Sequence, residues 1–319
     1  MLSSRNLGST SAALGGIAWA ALAAAAILRR APLGILEMLF LLAPLVIVPL
    51  GIEVLAVINS RLAAERFAAW LQPLGAACAV AAFWFPAGHR AAALAAGWGV
   101  VCGLIALSGL VGLARTGWRS LEGIALHLAR LDLAVAAGWF VASRAGIAPM
   151  GFREPIVLLT GLHFHYIGFA GALLAGLTLR RFRAAGPRVL PWTVAGLVFV
   201  PYVLAAGFVL SPSLKLVASL VLAGCGMVFA VEWLLLADGL RRAAHWLLTA
   251  AAASLLVGMA MAVVYSLLEY FHRDGLAIPL MARFHGVANG PGFVLLGLLG
   301  WWVEGRAPAV SPNARMEAL

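Results

Sequence analysis

Apolar runs long enough to cross a bilayer follow one another along almost the whole chain, separated by short connections where arginines and acids collect. A helix of about 20 mostly apolar residues spans the hydrocarbon core, and the pattern predicts ten such spans. The first is an alanine-rich run ending at Leu28, after a polar leader, residues 1–11, that carries Arg5. The second runs from Leu33 to about Val57, holds Glu37 and Glu53, and is expected to bend at Pro44 and Pro49. A charged connection with Arg61, Glu65 and Arg66 leads into the third, from Trp70 to Phe85, and the Gly- and Ala-rich fourth covers Ala91 to Ala114. The fifth, Leu121 to Ser143, reaches spanning length only if it includes His127, Arg130 and Asp132. The sixth opens at Glu154-Pro155 and closes at Arg180-Arg181. The last four cover Pro191–Leu210, Leu214–Ala237, His245–Tyr270 and Met281–Val303, before a short tail, residues 304–319, expected to be disordered and cytoplasmic.

Composition sets the class. With 64% hydrophobic and 11% charged residues and a mean hydropathy of +1.01, too little polar surface exists to cover a soluble globule. The expected fold is an all-α, polytopic transmembrane helix bundle over residues 12–303, without a soluble domain, whose first partner is the lipid bilayer. The excess of 22 Lys+Arg over 12 Asp+Glu sits mainly in short loops, as topology signals do, so no nucleic-acid partner is implied. The largest basic group, Arg180, Arg181, Arg183 and Arg188, falls on the same side as the termini. The positive-inside rule therefore predicts both termini in the cytoplasm of a bacterial inner membrane. Cys78, Cys102 and Cys225 lie in apolar runs without C-x-x-C spacing and read as small buried hydrophobes.

Candidate chemistry concentrates in the second half. His163 and His165 lie in the middle of the sixth span, where ionisable groups tend to face a bundle interior or cavity and carry function. Two residues apart, they point to nearly opposite sides of a regular helix, which disfavours a simple H-x-H zinc site. His165 shares its face with Gly161, Gly168, Ala172 and Gly176, a stripe suited to close helix packing, so His163 is expected to face the cavity. Glu154 opens this span, Tyr265 and Glu269 close the ninth, and His285 and Asn289 open the tenth, four residues apart on one face. All start from one side of the membrane. Three uses compete for this set: a divalent metal held by His163, His165, His285 or Glu269, acid–base chemistry or proton transfer, and hydrogen bonds that fix helix packing. Glu53 and Asp132 lie deep enough to serve as a proton relay or as partners for Arg130. Glu37, Glu65, Glu122, Glu232, Asp238 and His245 read as solvated or interfacial. No phosphate-cradling loop, nucleophile elbow or dinucleotide fingerprint is present.

The combination of Glu154-Pro155-Ile156, His163-Phe164-His165-Tyr166, Gly168-Phe169, His285-Gly286, Asn289 and Gly292-Phe293 resembles the YndJ-like family of bacterial integral membrane proteins. The resemblance implies a multi-pass architecture and draws attention to these positions without giving them roles. Some members carry a further C-terminal region, which would leave the membrane part as a binding or sensing module. The leading expectation is an intramembrane enzyme acting on a lipid-soluble molecule, such as an isoprenoid or acyl lipid, with His163, His285, Glu269, Glu154 and Asn289 as its acid–base set. A proton-coupled transporter and a structural or assembly protein are the alternatives.

Overall fold

The computed structural model describes residues 7–58, 62–116 and 118–306, and every regular element within them is helical. Arg5 of the leader, Asn59 and Arg61 of the second connection, and residues 307–319 of the tail lie outside the described residues. Among the described residues ten helices make up the bundle. They are α1 (Leu7–Ile27), α2 (Ile35–Leu42, a π segment Ala43–Ile47, then Val48–Ile58), α3 (Ala63–Ala82), α4 (His89–Thr116) and α5 (Leu121–Ala145). The second half has α6 (Ile156–His163, a π segment Phe164–Gly171, then Ala172–Phe182), α7 (Leu190–Leu210), α8 (Pro212–Leu236) and α9 (Arg242–Tyr270). In α10, Ile278–Met281 leads through π segments Ala282–Gly286 and Ala288–Leu295 into Leu296–Gly305. Nine of the ten are long and apolar enough to cross a membrane, α3 being the exception. Its start corrects the sequence reading: the stretch taken as a charged connection is its first turn, and Glu65 caps it by accepting from the Leu62 amide at 3.3 Å.

The most enclosed helix is α2, with 83% of its apolar window buried. Its prolines do more than bend it. The Ala43 amide bonds Phe40 O and Pro44 has no N–H, so Leu39 O is left without a helical donor. The Val48 amide reaches back five residues to Ala43 O, and in that register Pro49 leaves Pro44 O equally bare. Side chains from other helices supply both: Tyr166 of α6 donates to Leu39 O at 2.8 Å, and Gln72 of α3 donates to Pro44 O at 2.7 Å. Ser11 of α1 in turn donates to Gln72, and Trp19 of α1 donates to Met38 O at 2.7 Å. Two bared carbonyls in one ladder thus tie α3 and α6 to α2, and Ser11 and Trp19 add α1.

The glycine stripe of α6 packs on α5: a Cβ at Gly161 would lie 3.1 Å from Ala136 O and one at Gly168 2.8 Å from an Asp132 carboxylate oxygen. Tyr202 of α7 donates to both Asp132 oxygens, at 2.8 and 2.9 Å. Asp132 is therefore no partner for Arg130. That partner is Glu65, the acid read as interfacial, whose Oε1 accepts from Arg130 Nε at 2.7 Å with both side chains buried. Ser108 of α4 donates to the same oxygen at 2.8 Å.

Removing one partner of a buried ion pair strands the other charge, at about 3–5 kcal/mol. Glu65→Ala should therefore lower the melting temperature in detergent far more than the paired Glu65→Leu/Arg130→Met variant does. Equal losses in the two would show that the pair is solvated.

Candidate functional site in an intramembrane cavity

A cavity of about 480 Å³ opens between α6, α7, α8, α9 and α10, with Leu36 and Leu39 of α2 behind it. Its walls are mainly apolar. Two polar zones interrupt them, one at the mouth and one deep inside.

The deep zone is built by the two helices with the most irregular ladders. His163 is the last residue before the π segment of α6, and its exposed ring faces the cavity. Its Nδ1 lies 2.7 Å from Leu159 O. His285 falls within the first π segment of α10, with Nδ1 2.8 Å from Gly258 O of α9. A carbonyl oxygen has no proton to give, so in both neutral rings Nδ1 carries the hydrogen and Nε2 keeps a bare lone pair; for His285 the 2.8 Å contact with Gly258 O outweighs the longer one, 3.2 Å, between Nδ1 and Asn289 Nδ2. Among the described residues neither Nε2 has a hydrogen-bond partner, and the two rings are within Coulombic reach of each other. Asn289, one turn on, bonds His285 O through Nδ2 at 2.9 Å, while its buried Oδ1 has no partner.

His165 has a different surrounding. It is fully buried on the opposite side of α6, where Nδ1 bonds Gly161 O at 2.8 Å and Nε2 accepts from Trp98 Nε1 of α4 at 3.0 Å. With both nitrogens used, it has nothing to offer a ligand. Phe40 packs edge-on against its ring at 5.2 Å.

The mouth zone lies at the ends of α8 and α9, where Lys215 Nζ pairs with Glu269 Oε1 at 2.8 Å and stands over the Phe208 ring at 4.8 Å. Residues 258 and 269 are separated by roughly 16 Å of α9 at helical rise, so Glu269 does not reach the histidines. Glu154 is not among the lining residues. It is exposed, accepts from the Leu158 amide at 3.2 Å at the start of α6, and lies within Coulombic reach of Arg144. Of the set named from the sequence, His163, His285 and Asn289 meet, Glu269 stands at the entrance, and Glu154 and His165 are elsewhere.

This geometry bears on a metal. Among the described residues no three of His, Cys, Asp and Glu gather around one point. His163 and His285 offer two nitrogens, one short of the three protein ligands of an open zinc site.

Tyr166 floors the cavity where the three π-containing helices converge. Its hydroxyl is fixed on α2, and a Cβ at Gly290 of α10 would lie 3.1 Å from its ring. Sequence reasoning gave Tyr166 no role of its own and missed Lys215 at the mouth. It also placed Glu232 at the interface, whereas Glu232 is buried between α7 and α8, 3.4 Å from Thr193 Oγ1. π segments recur at functional sites in helices, but they announce themselves in sequence only where proline is present, as with Pro44 and Pro291.

The model of the YndJ-like protein family matches residues 38–293, which include every polar group of the cavity. The chain belongs to the YndJ-like family. It is 27% identical over 208 residues to the uncharacterized membrane protein YndJ of Bacillus subtilis (strain 168), a match covering 64% of this chain and 37% of that protein. The chain thus corresponds to well under half of that relative's length. No solved structure matches it. Family membership and the apolar helices together make this YndJ-like chain a multi-pass membrane protein.

The contact that sets the histidine of α10 against α9 is the absence of a side chain at Gly258, where a Cβ would come within 2.3 Å of Asn289 Nδ2. Overpacking of this kind costs about 1–3 kcal/mol. Gly258→Ala should be destabilised by that amount in detergent melts, and adding Asn289→Ala should restore most of the loss. If the second substitution adds to the first, the two helices are not held apart at this point.

Proposed function

We propose that this YndJ-like protein binds a lipid-soluble molecule, of the isoprenoid or acyl-lipid kind, in the cavity and performs acid–base chemistry on it with His163 and His285. The observation that carries this reading is the pair of unpartnered imidazole Nε2 atoms at the deep end of an otherwise apolar chamber. Binding sites for small molecules are of this kind, concave and apolar with a few convergent polar groups. A neutral imidazole with its other nitrogen held by a carbonyl is oriented to take a proton from whatever reaches it. In the orientation favoured by the arginines after α6, both termini are cytoplasmic and the mouth opens on the opposite side.

Carrier activity is the second reading. Interrupted helices facing each other near the middle of a bundle are a feature of transporters, and α6 and α10 meet in that way at Tyr166 and Gly290.

The two readings separate on incubating vesicles of the purified protein with a total bacterial lipid extract and following lipids by mass spectrometry. An enzyme consumes a lipid, and His163→Ala and His285→Ala should each slow that consumption by about 10²–10⁴-fold, the usual contribution of a general acid or base. Turnover retained in both folded variants would sink the acid–base reading. Movement of a lipid without chemical change, dependent on a proton gradient, would establish the carrier instead.

A further inference from the structure

The two imidazole rings of the deep zone present only acceptors to the cavity. Four donors there are spent on backbone carbonyls: His163 Nδ1 on Leu159 O, His285 Nδ1 on Gly258 O, Tyr166 Oη on Leu39 O, and Thr160 Oγ1 on Ile156 O at 2.8 Å, while the indole N–H of Trp139 on α5 also belongs to the lining. Asn289 gives one of its two amide hydrogens to His285 O, and its Nδ2 also lies 3.2 Å from His285 Nδ1. At the two rings themselves acceptor capacity remains, the two Nε2 lone pairs, joined by the hydroxyl oxygens of Thr160 and Tyr166, all belonging to lining residues. The other lining hydroxyls, Ser219, Tyr265 and Ser266, are within about one helical turn of Lys215 or Glu269 and belong to the mouth.

A ligand whose polar group only accepts, such as a ketone, an ester or a phosphodiester, would set its oxygens against the two bare Nε2 lone pairs, acceptor against acceptor, after leaving water. Leaving such a group unsatisfied in an apolar site is costly. A hydroxyl meets the opposite situation, because its single hydrogen finds several acceptors and its oxygen makes no demand that water or headgroups must meet. Sites built to bond a hydroxyl reject analogues that lack it far more strongly than apolar pockets discriminate chain length.

We infer that the cavity takes a lipid alcohol, an apolar chain ending in a hydroxyl that enters hydroxyl-first and donates to Nε2 of His163 or His285. This rests on the cavity being a ligand site, as proposed above, and adds the class of head group. The apolar walls between the zones then hold the chain, and the Lys215–Glu269 pair marks the membrane edge it passes. Once bound, the hydroxyl has its proton directed at a bare imidazole nitrogen, which is the arrangement that activates an alcohol oxygen.

The test uses three probes of matched chain, 1-hexadecanol, hexadecyl methyl ether and methyl palmitate, titrated into the 319-residue chain in detergent and read by native mass spectrometry. The alcohol should bind about tenfold more tightly than the ether or ester, the value of one buried hydrogen bond. The double variant His163→Phe/His285→Phe, checked for an unchanged melting temperature, should bring alcohol and ether to the same affinity while keeping the affinity for the ether. Ether or ester binding as tightly as the alcohol to the wild-type protein would overturn the inference and leave the ligand cavity standing. Binding of none of the three would overturn both. Stoichiometric zinc that blocks the alcohol and is lost in the double variant would also overturn it, because the lone pairs would then serve a metal.

Discussion

The backbone of α2 carries the constraint on which the rest of the structure depends. Inside a bilayer no water is present to satisfy a carbonyl that the helix has abandoned, and each such group costs several kcal/mol. Pro44 and Pro49 leave Leu39 O and Pro44 O without helical donors in the most enclosed helix of the bundle. Tyr166 and Gln72 replace the donors from two other helices. The helix order around α2 follows from this, because α3 and α6 must stand where these side chains reach. Tyr166 is also held at a fixed angle by its bond, and the cavity floor inherits that rigidity, with Gly290 making room for the ring.

Polar groups in the two halves of the molecule do different work. Glu65, Arg130 and Ser108 satisfy one another across α3, α4 and α5, and Asp132 is closed off by Tyr202 and the α6 backbone at Gly168. These bonds lock helices together and leave no opening for a ligand. His165 belongs to the same class, buried between Trp98 and Phe40 with both nitrogens bonded. Beyond α6 the helices stand apart, and there His163 and His285 keep unbonded nitrogens beside an apolar space. The two histidines of His163-Phe164-His165 therefore divide structural and chemical duty along one helix.

The bundle itself was legible because hydrophobic runs report spanning helices almost directly, and nine of the ten read as such. The third was harder to bound, since Glu65 and Arg66 look like loop residues until the partner of Glu65 on another helix is known, and the span was read from Trp70 instead of Ala63. That is why Glu65 was passed over as the partner of Arg130 while Glu53 and Asp132 were considered: depth along a span is visible in sequence, but the pairing across spans is not. Helical periodicity separated His163 from His165 and grouped His285 with Asn289. It also drew Glu154 and Glu269 toward the same point, because a common membrane side says nothing about distance in the plane or about the 16 Å or so along α9 between mouth and deep zone. The π segments were invisible for a different reason, since they change which carbonyl an amide reaches without changing the composition of the run.

Satisfying backbone carbonyls also accounts for the character of the cavity. Irregular ladders in α2, α6 and α10, and the close approach of α9 at Gly258, bring carbonyls within reach of side chains, and nearby hydroxyl, imidazole and amide groups turn their hydrogens toward them. Each hydrogen used in this way leaves a lone pair on the other side of its group. Where helices are packed tightly, as at His165, another helix supplies a donor and the account closes. Where they part, the lone pairs face open space. An interior that must satisfy its carbonyls thus acquires an accepting surface without any residue being charged, and the chemistry at His163 and His285 arises from the same requirement that orders the fold.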